Sequence, residues 1–382
     1  MNTTPQAIIS EEDQQAFNNL AANFAENELA DFIHEHEYPY SLDPSGILRK
    51  IIDLGFLSIN IPAEHSGLGI ASQAMAGILE QISLVDAGMA GAIFANTAAL
   101  EIISAASSSS SCDGLYEIIN KAKAFPLAFQ AYSVPAEASV PASKKKEGNY
   151  LLYGRADLLV SGGTASCAVI PARSDGGSLS YFLVNLGDKE IKKSRPVVTI
   201  GMQACRPVDL ELNGARGTLI GKEGSGDLLF EEVCQRMSYP ACGIFLGIMK
   251  GSFNTALEYC GQRYQGGRMI IQWDNMRMKL AGMASLIAVA ETSVCGLKNM
   301  FAAGSANAGP SAIAAAIHIG NMAAAVTSDG IQLLGGNGYM KDYGQEKRMR
   351  DAKQAQSFFG SSPLRKKRFI DAIIKEKQGA DN

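Results

Sequence analysis

The period of the hydrophobic pattern changes twice along this chain, and those two changes limit the fold more than any other feature. In the N-terminal part, Phe17, Leu20, Ala21 and Phe24, then Leu29, Phe32 and Ile33, recur at helical spacing. Ser10-Glu11-Glu12 reads as a helix start with acidic residues in its first turn. From Pro126 the apolar runs shorten to strand length: Ala128–Tyr132, Tyr150–Tyr153, Leu158–Ser161, Cys167–Pro171, Leu179–Asn185 and Val208–Leu212, punctuated by Gly, Asn, Asp and Lys. From Leu228 the helical period returns in long runs, Ile244–Tyr259, Met276–Asn299 and Ala312–Leu334. The pattern predicts an α+β fold in three parts. An N-terminal helical domain covers 1–125, a central β-barrel-like domain 126–227, and a C-terminal four-helix bundle 228–382.

Composition narrows the functional classes. A chain of 382 residues with 47% hydrophobic and 19% charged residues buries a large core. Its net charge of −4 provides no basic field for nucleic acid. Seven cysteines lie scattered without a C-x-x-C pair, which argues against a metal site or a disulfide framework and fits a reducing compartment. The N-terminus lacks the basic and apolar regions of a signal peptide. Apolar stretches such as Ile313–Val326 are expected to be too short and Ala-rich to span a bilayer. The expected location is the cytoplasm.

One segment carries the densest chemistry: Gln332-Leu333-Leu334-Gly335-Gly336-Asn337-Gly338-Tyr339, followed by Asp342-Tyr343, Glu346-Lys347 and Arg350-Asp351-Ala352-Lys353. Glycines at this density let backbone amides approach a ligand closely, and they also suit a plain helix terminus. Together with other segments the stretch resembles the acyl-CoA dehydrogenase family, whose C-terminal signature has the form Q-I-x-G-G-x-G-(Y/F)-x-x-(E/D)-(Y/F) and then R-D-A-(K/R). Further matches are Pro62–Gly69, with Ser66 in place of the first Gly of P-x-x-x-G-G-x-G, then Gly201–Arg206, Gly221–Gly226 and Arg263–Arg268.

The resemblance implies flavin adenine dinucleotide (FAD), an acyl-CoA substrate, electron-transfer flavoprotein as electron partner, and a homo- or hetero-oligomer, dimer or tetramer. It implies that Gln332, Gly335 and Gly336 meet the adenosine-diphosphate part of the cofactor of an adjacent subunit. Arg263 pairs with its pyrophosphate, a role that suits the guanidinium fork, and Ser361 donates to the flavin. In the β-domain the family's T-E-P-x-A-G-S has become Ser133–Ser139. By the same resemblance Ser133, flanked by Gln130 and Tyr132, contacts the flavin ring, and Ser139 meets the coenzyme A arm. The family's W-I-T-N-G has become Leu159-Val160-Ser161-Gly162-Gly163. Ser161 keeps a hydroxyl beside the ring, while Leu159 replaces the covering Trp.

The resemblance also exposes a gap. Family chemistry removes an α-proton with a carboxylate while hydride leaves Cβ for the flavin. The commoner carriage of that carboxylate, Y-E-G-T, here reads Phe358-Phe359-Gly360-Ser361, so Phe359 stands at the Glu position and Phe358 at the Tyr. The second family position, counted back from Arg263, falls on Met237 and Ser238, with Arg236 beside them. Three readings remain. Another group supplies the base, among Glu231, Glu232, Cys234 and Tyr239. Alternatively, the reaction needs no carboxylate. Or the chain is a non-catalytic partner in a hetero-oligomer, with Phe359 filling the acyl pocket.

Overall fold

The computed structural model describes residues 9–36, 45–107, 112–121, 126–135, 140–144, 150–174 and 176–380. The N-terminal helices are α1 (Glu11–Phe24), α2 (Ala30–His36), α3 (Ser45–Asp53), α4 (Met75–Ser83), α5 (Ala87–Ser107) and α6 (Asp113–Lys121). Ser10 caps α1, its Oγ accepting from the Asp13 amide at 3.1 Å, as the sequence predicted. Nearly every residue of α5 is buried, so it forms the axis of this part. Loop 62–69 is stabilised by backbone bonds to residues 58–61. Ser66 there has φ +66°, which explains why the resembling motif has a glycine at this place. A Cβ on Gly67 would lie 2.1 Å from the Ile61 carbonyl oxygen, so that glycine is required by packing.

The central sheet contains β1 (Leu127–Phe129), β2 (Ala142–Lys144), β3 (Tyr150–Leu159), β4 (Cys167–Arg173), β5 (Leu179–Asn185), β6 (Ile191–Lys193) and β7 (Val208–Ile220). Its order is β1-β4-β5-β7-β3-β2, with β6 also on β7. Only β1–β4 is parallel. The ladder stays open between β2 and β1, while single bridges, Phe129–Val160 and Pro141–Arg173, draw the edges together. The sheet is therefore a curled open one, a correction to the closed shape that "barrel-like" implies. Two strands run longer than their sequence pattern. Tyr150–Tyr153 and the start of Leu158–Ser161 belong to one strand, β3, which passes through Gly154 at φ +92° and a bulge before its end at Leu159. The strand begun at Val208 likewise continues past Gly214 at φ +87°. Here Gly214 sits in a bulge and Gly154 pairs regularly with Leu212, so neither glycine ends its strand.

The C-terminal part contains α7 (Gly226–Gln262), the two-residue strands β8 (Tyr264–Gln265) and β9 (Arg268–Met269), then α8 (Asp274–Ala302), α9 (Ala308–Leu334), α10 (Gln345–Ala355) and α11 (Ser362–Ala380). α7, α8 and α9 pack together, and α11 lies on α9. The run Ile313–Val326 is embedded in a longer helix, which corrects the length argument made from sequence. By length and composition alone α5, α8 and Ala308–Tyr339 would each be able to cross a membrane. In the folded chain 94% of the α5 window is buried inside the protein. All seven cysteines are free, and only Cys295 is exposed. Among the described residues no His, Cys, Asp and Glu cluster could hold a metal.

Candidate active site

Four segments meet at one end of the sheet, joined by their backbones. The Phe129 and Val160 amides donate to each other's carbonyls at 3.3 and 2.9 Å. Ser161 N–H donates to the Cys205 carbonyl at 2.7 Å, and Phe359 N–H to the Ala131 carbonyl at 2.7 Å. Among the described residues six non-glycine residues have positive φ, and five of them lie here: Leu158, Ser161, Met202, Arg206 and Phe359. Such backbone costs roughly 1–3 kcal/mol per residue and gathers where function holds it. Gly360 follows at φ +99°, and a Cβ on it would lie 2.6 Å from Val134 Cγ1.

The predicted flavin-ring residues are on these segments. Ser133 is half-buried and Leu159 is fully buried. The Gln130 amide donates to the Asp157 carbonyl at 2.8 Å. Tyr132 faces inward: its hydroxyl reaches Met202 Sδ at 3.8 Å, and its ring stacks on Phe358 with centroids 5.5 Å apart. Burial pushes the Tyr132 hydroxyl well above the ordinary tyrosine range. Ser361 is exposed just beyond. Ser139 lies outside the described residues.

Phe359 is 3% exposed and sits in an aromatic cluster. Its ring centroid is 5.5 Å from Phe94 and 6.0 Å from Phe230, and Phe358 is 4.5 Å from Phe94. Arg368 donates to the Phe359 carbonyl at 2.9 Å and lies over the Phe230 ring. At the second position Met237 is fully buried, and Ser238 Oγ donates to the Cys234 carbonyl at 2.6 Å. Two of the four substitute bases, Glu232 and Tyr239, are engaged elsewhere. Glu232 and buried Glu101 pair with Arg236. Tyr239 stacks on Phe301, away from the phenylalanines. Cys234 lies close, since Arg368 contacts its sulfur at 3.7 Å, but burial pushes its thiol up to about 12, so it is not a thiolate near neutral pH.

The glycine turn and Arg263 occupy another place. Gly335 and Gly336 are exposed, Gly335 at φ +57°, and a Cβ on either would meet nothing within 4 Å. Gly338 differs: a Cβ there would lie 2.4 Å from the Ile331 carbonyl oxygen. Gln332 is exposed on the last turn of α9. Arg263 caps α7, is exposed, and makes no side-chain hydrogen bond among the described residues. Asn337 donates to the Tyr259 hydroxyl at 3.0 Å, which holds the turn beside the end of α7. Arg263 is 33 residues along α7 from Phe230, about 50 Å at the helical rise, so the turn and the aromatic cluster cannot both line one small-molecule site within a single chain.

One polar device was not legible as such in the sequence. Asp351, of the R-D-A-K segment, accepts from the Met202 amide at 2.5 Å and from Lys347 at 2.5 Å. Lys347 also reaches Asp86 at 3.3 Å, and Asp86 caps α5 through the Gly88 and Met89 amides. All three side chains are buried. This network fixes the Met202–Arg206 loop, and nothing about Asp86 in the sequence points to it.

These features define a chain of helical, sheet and helical parts with one built junction at the end of its sheet. Sequence models of the acyl-CoA dehydrogenase N-terminal and C-terminal domains match residues 11–110 and 236–373. The chain is 24% identical over 379 residues to the 3-(aryl)acrylate reductase of Clostridium sporogenes, covering 95% of this chain and 99% of that one. It is 25% identical to the mitochondrial short-chain specific acyl-CoA dehydrogenase of Rattus norvegicus, covering 96% and 91%. Butyryl-CoA dehydrogenase from Megasphaera elsdenii has the same fold, with a TM-score of 0.86 at 22% identity, covering 96% of this chain and 100% of that one. A chain solved in work on the electron transferring flavoprotein of Acidaminococcus fermentans superposes with a TM-score of 0.85 at 25% identity, covering 96% and 99%. The chain belongs to the acyl-CoA dehydrogenase family. It is an acyl-CoA dehydrogenase-like oxidoreductase, and its cofactor is FAD. The residues present fit that cofactor: the unpaired Arg263 guanidinium suits a pyrophosphate, and Gly335–Gly336 leave room for a close approach.

Proposed function

We propose that this chain acts on an acyl-CoA thioester at Cα–Cβ with an atypical active site, in which the frame of the family site is kept and its carboxylate is not. The observation that carries this is Phe359 itself. Its positive φ, the following Gly360, and its backbone bonds to Ala131 and Arg368 form a built loop that aims one side chain at the junction of four segments. Bound FAD supplies the hydride acceptor. Ser133, Ser161, Gln130, Tyr132, Leu159 and Ser361 are the proposed ring-end contacts, and Ser139 is the proposed contact of the coenzyme A arm.

Arg263, Gln332, Gly335 and Gly336 would hold the cofactor's phosphate end in a neighbouring subunit. The roughly 50 Å along α7 between them and the ring-end residues supports this reading. The working unit is thus an oligomer in which each flavin is shared. The proposed electron partner is electron-transfer flavoprotein, in line with the Acidaminococcus fermentans neighbour. The proposed location is the cytoplasm, and the proposed domain limits are 1–125, 126–227 and 228–382, the last of which falls two residues inside α7.

A second reading is favoured by the packing of Phe94, Phe230 and Phe358 around Phe359: a non-catalytic FAD- and CoA-binding subunit of a hetero-oligomer. The visible spectrum of the purified chain separates the two. Bleaching of the flavin band by an acyl-CoA ester supports catalysis. A yellow protein that no thioester reduces, copurifying with a homologue that carries Y-E-G-T, supports the second reading. Arg263→Ala is expected to weaken FAD retention by about tenfold, the loss of one charge-assisted pair. Equal flavin content after dialysis of the variant and parent would remove Arg263 from the cofactor site.

A further inference from the structure

One sizeable cavity belongs to neither end of the proposed flavin site. It encloses about 850 Å³ between α1, the 62–69 loop, the end of α5, α6, α7 and α8. Its α7 wall is Glu232, Arg236 and Tyr239. At about 100° per residue these lie roughly 180–240° around the helix from Phe230. The cavity and the aromatic cluster are therefore on opposite faces of α7. Its volume is within the range of small-molecule sites.

Two aromatic pairs stand in the wall. Tyr239 and Phe301 are stacked with centroids 5.5 Å apart, and His65 and Tyr116 at 4.8 Å. Tyr239 is 6% exposed, yet its hydroxyl has no hydrogen bond among the described residues, unlike most buried tyrosines. Burial also holds that hydroxyl above the ordinary tyrosine range, so it remains a donor. The charge is one-sided. The lining carboxylates are Glu11, Glu64, Glu80, Asp113 and Glu232, against Arg236 and Lys298 in the wall, with Lys250 behind it pairing Glu80 and His65 in the wall bonded to Asp113. Arg236 and Lys298 are already engaged: Arg236 with buried Glu101 and with Glu232, and Lys298 with Glu11 at 3.1 Å. Glu64 is exposed and in no ion pair among the described residues.

We propose that this cavity is a second binding site, for a small organic cation carrying an apolar or aromatic body. An ammonium group gains from the surplus carboxylates and from the ring faces. Its apolar part has Phe301, Val294 and Ala105 to cover. An anion of the same size would be set against like charge, which costs affinity. The Pro62–Gly69 motif, which the flavin site does not use, then acquires a role as one rim of this site.

Isothermal titration of the purified full chain carrying its flavin tests the assignment, with benzyltrimethylammonium and benzoate as probes. The ammonium is expected to bind at least tenfold more tightly than benzoate, without altering the flavin absorption band. Glu64→Gln, an exposed change that leaves the core untouched, is expected to weaken ammonium binding about threefold. Tyr239→Leu is expected to weaken it about threefold or more. The proposal is overturned if benzoate binds as well as the ammonium, if neither binds, or if both variants bind the ammonium like the parent. A flavin band that shifts on binding would equally overturn it by moving the probe to the flavin site.

Discussion

Phe359→Glu is expected to lower stability by about 3–5 kcal/mol and, alone, to raise the rate of thioester oxidation little above that of the parent. The stability loss follows from removing a 3%-exposed ring that touches Phe94 and Phe230, a change comparable to deleting a core phenylalanine. It is increased by placing a carboxylate among ring faces, where the ion loses its hydration. The activity remains low because space, and not only a base, is missing. Phe94 lies against both Phe358 and Phe359, and Tyr132 closes the other side of Phe358. The backbone needs no adjustment, since φ +56° at residue 359 and φ +99° at Gly360 already provide the turn. Adding Phe94→Leu, at a further cost of roughly 1–2 kcal/mol, vacates part of that space. The double variant is then expected to reduce its flavin with butyryl-CoA about 10²–10⁴-fold faster than the parent, the usual worth of a positioned general base. Thermal unfolding and anaerobic bleaching of the flavin band measure the two effects. A single variant as fast as the double would show that the cluster is not closed to substrate. A double variant no faster than the parent would show that residue 359 does not address the reacting carbon.

The order of helical, sheet and helical parts was legible because period 3.6 and period 2 are distinct and the switches at 126 and 228 are abrupt. The limits of β3 and β7 were not. Gly154 and Gly214 read as punctuation, whereas the paired strands absorb them, Gly154 in register and Gly214 as a bulge, and pairing is a tertiary property. The same limit applies at the site. Motif order located Phe359, Arg263 and the glycine turn, but a linear sequence does not reveal that some 33 residues of one helix separate two of them from the third. Nor does it distinguish Gly335, open to solvent, from Gly338, pressed against Ile331. Phe94 and Phe230 carried no signal, because an aromatic residue on a helical stripe looks like ordinary core until the loop that packs on it is placed.

Asp351→Ala is expected to be the most damaging polar substitution, costing about 3–5 kcal/mol. The carboxylate is 2% exposed and holds two partners, the Met202 amide and Lys347. Removing it leaves a buried backbone N–H without an acceptor, which by itself costs about 1–3 kcal/mol. It also takes the carboxylate at 2.5 Å from the Lys347 ammonium, which is 9% exposed and lies 3.3 Å from Asp86. Asp86 is already engaged by the Gly88 and Met89 amides, so its capacity to compensate is limited. The consequence extends to the site. Met202 begins a loop with two left-handed residues, Met202 and Arg206, and the Cys205 carbonyl in that loop accepts from Ser161. Gly201 confirms how tightly the loop is seated, since a Cβ on it would lie 2.3 Å from the Arg350 carbonyl. Releasing Met202 therefore loosens the loop that positions Ser161, and flavin retention is expected to fall together with stability. Asp351→Asn keeps an oxygen for Met202 but loses the charge and the oxygen that accepts from Lys347, so its loss is expected to be smaller than that of Asp351→Ala. Urea midpoints and flavin content after gel filtration follow both variants. An Asp351→Ala protein within about 1 kcal/mol of the parent would mean that Asp86 alone satisfies Lys347 and that the loop is held by packing.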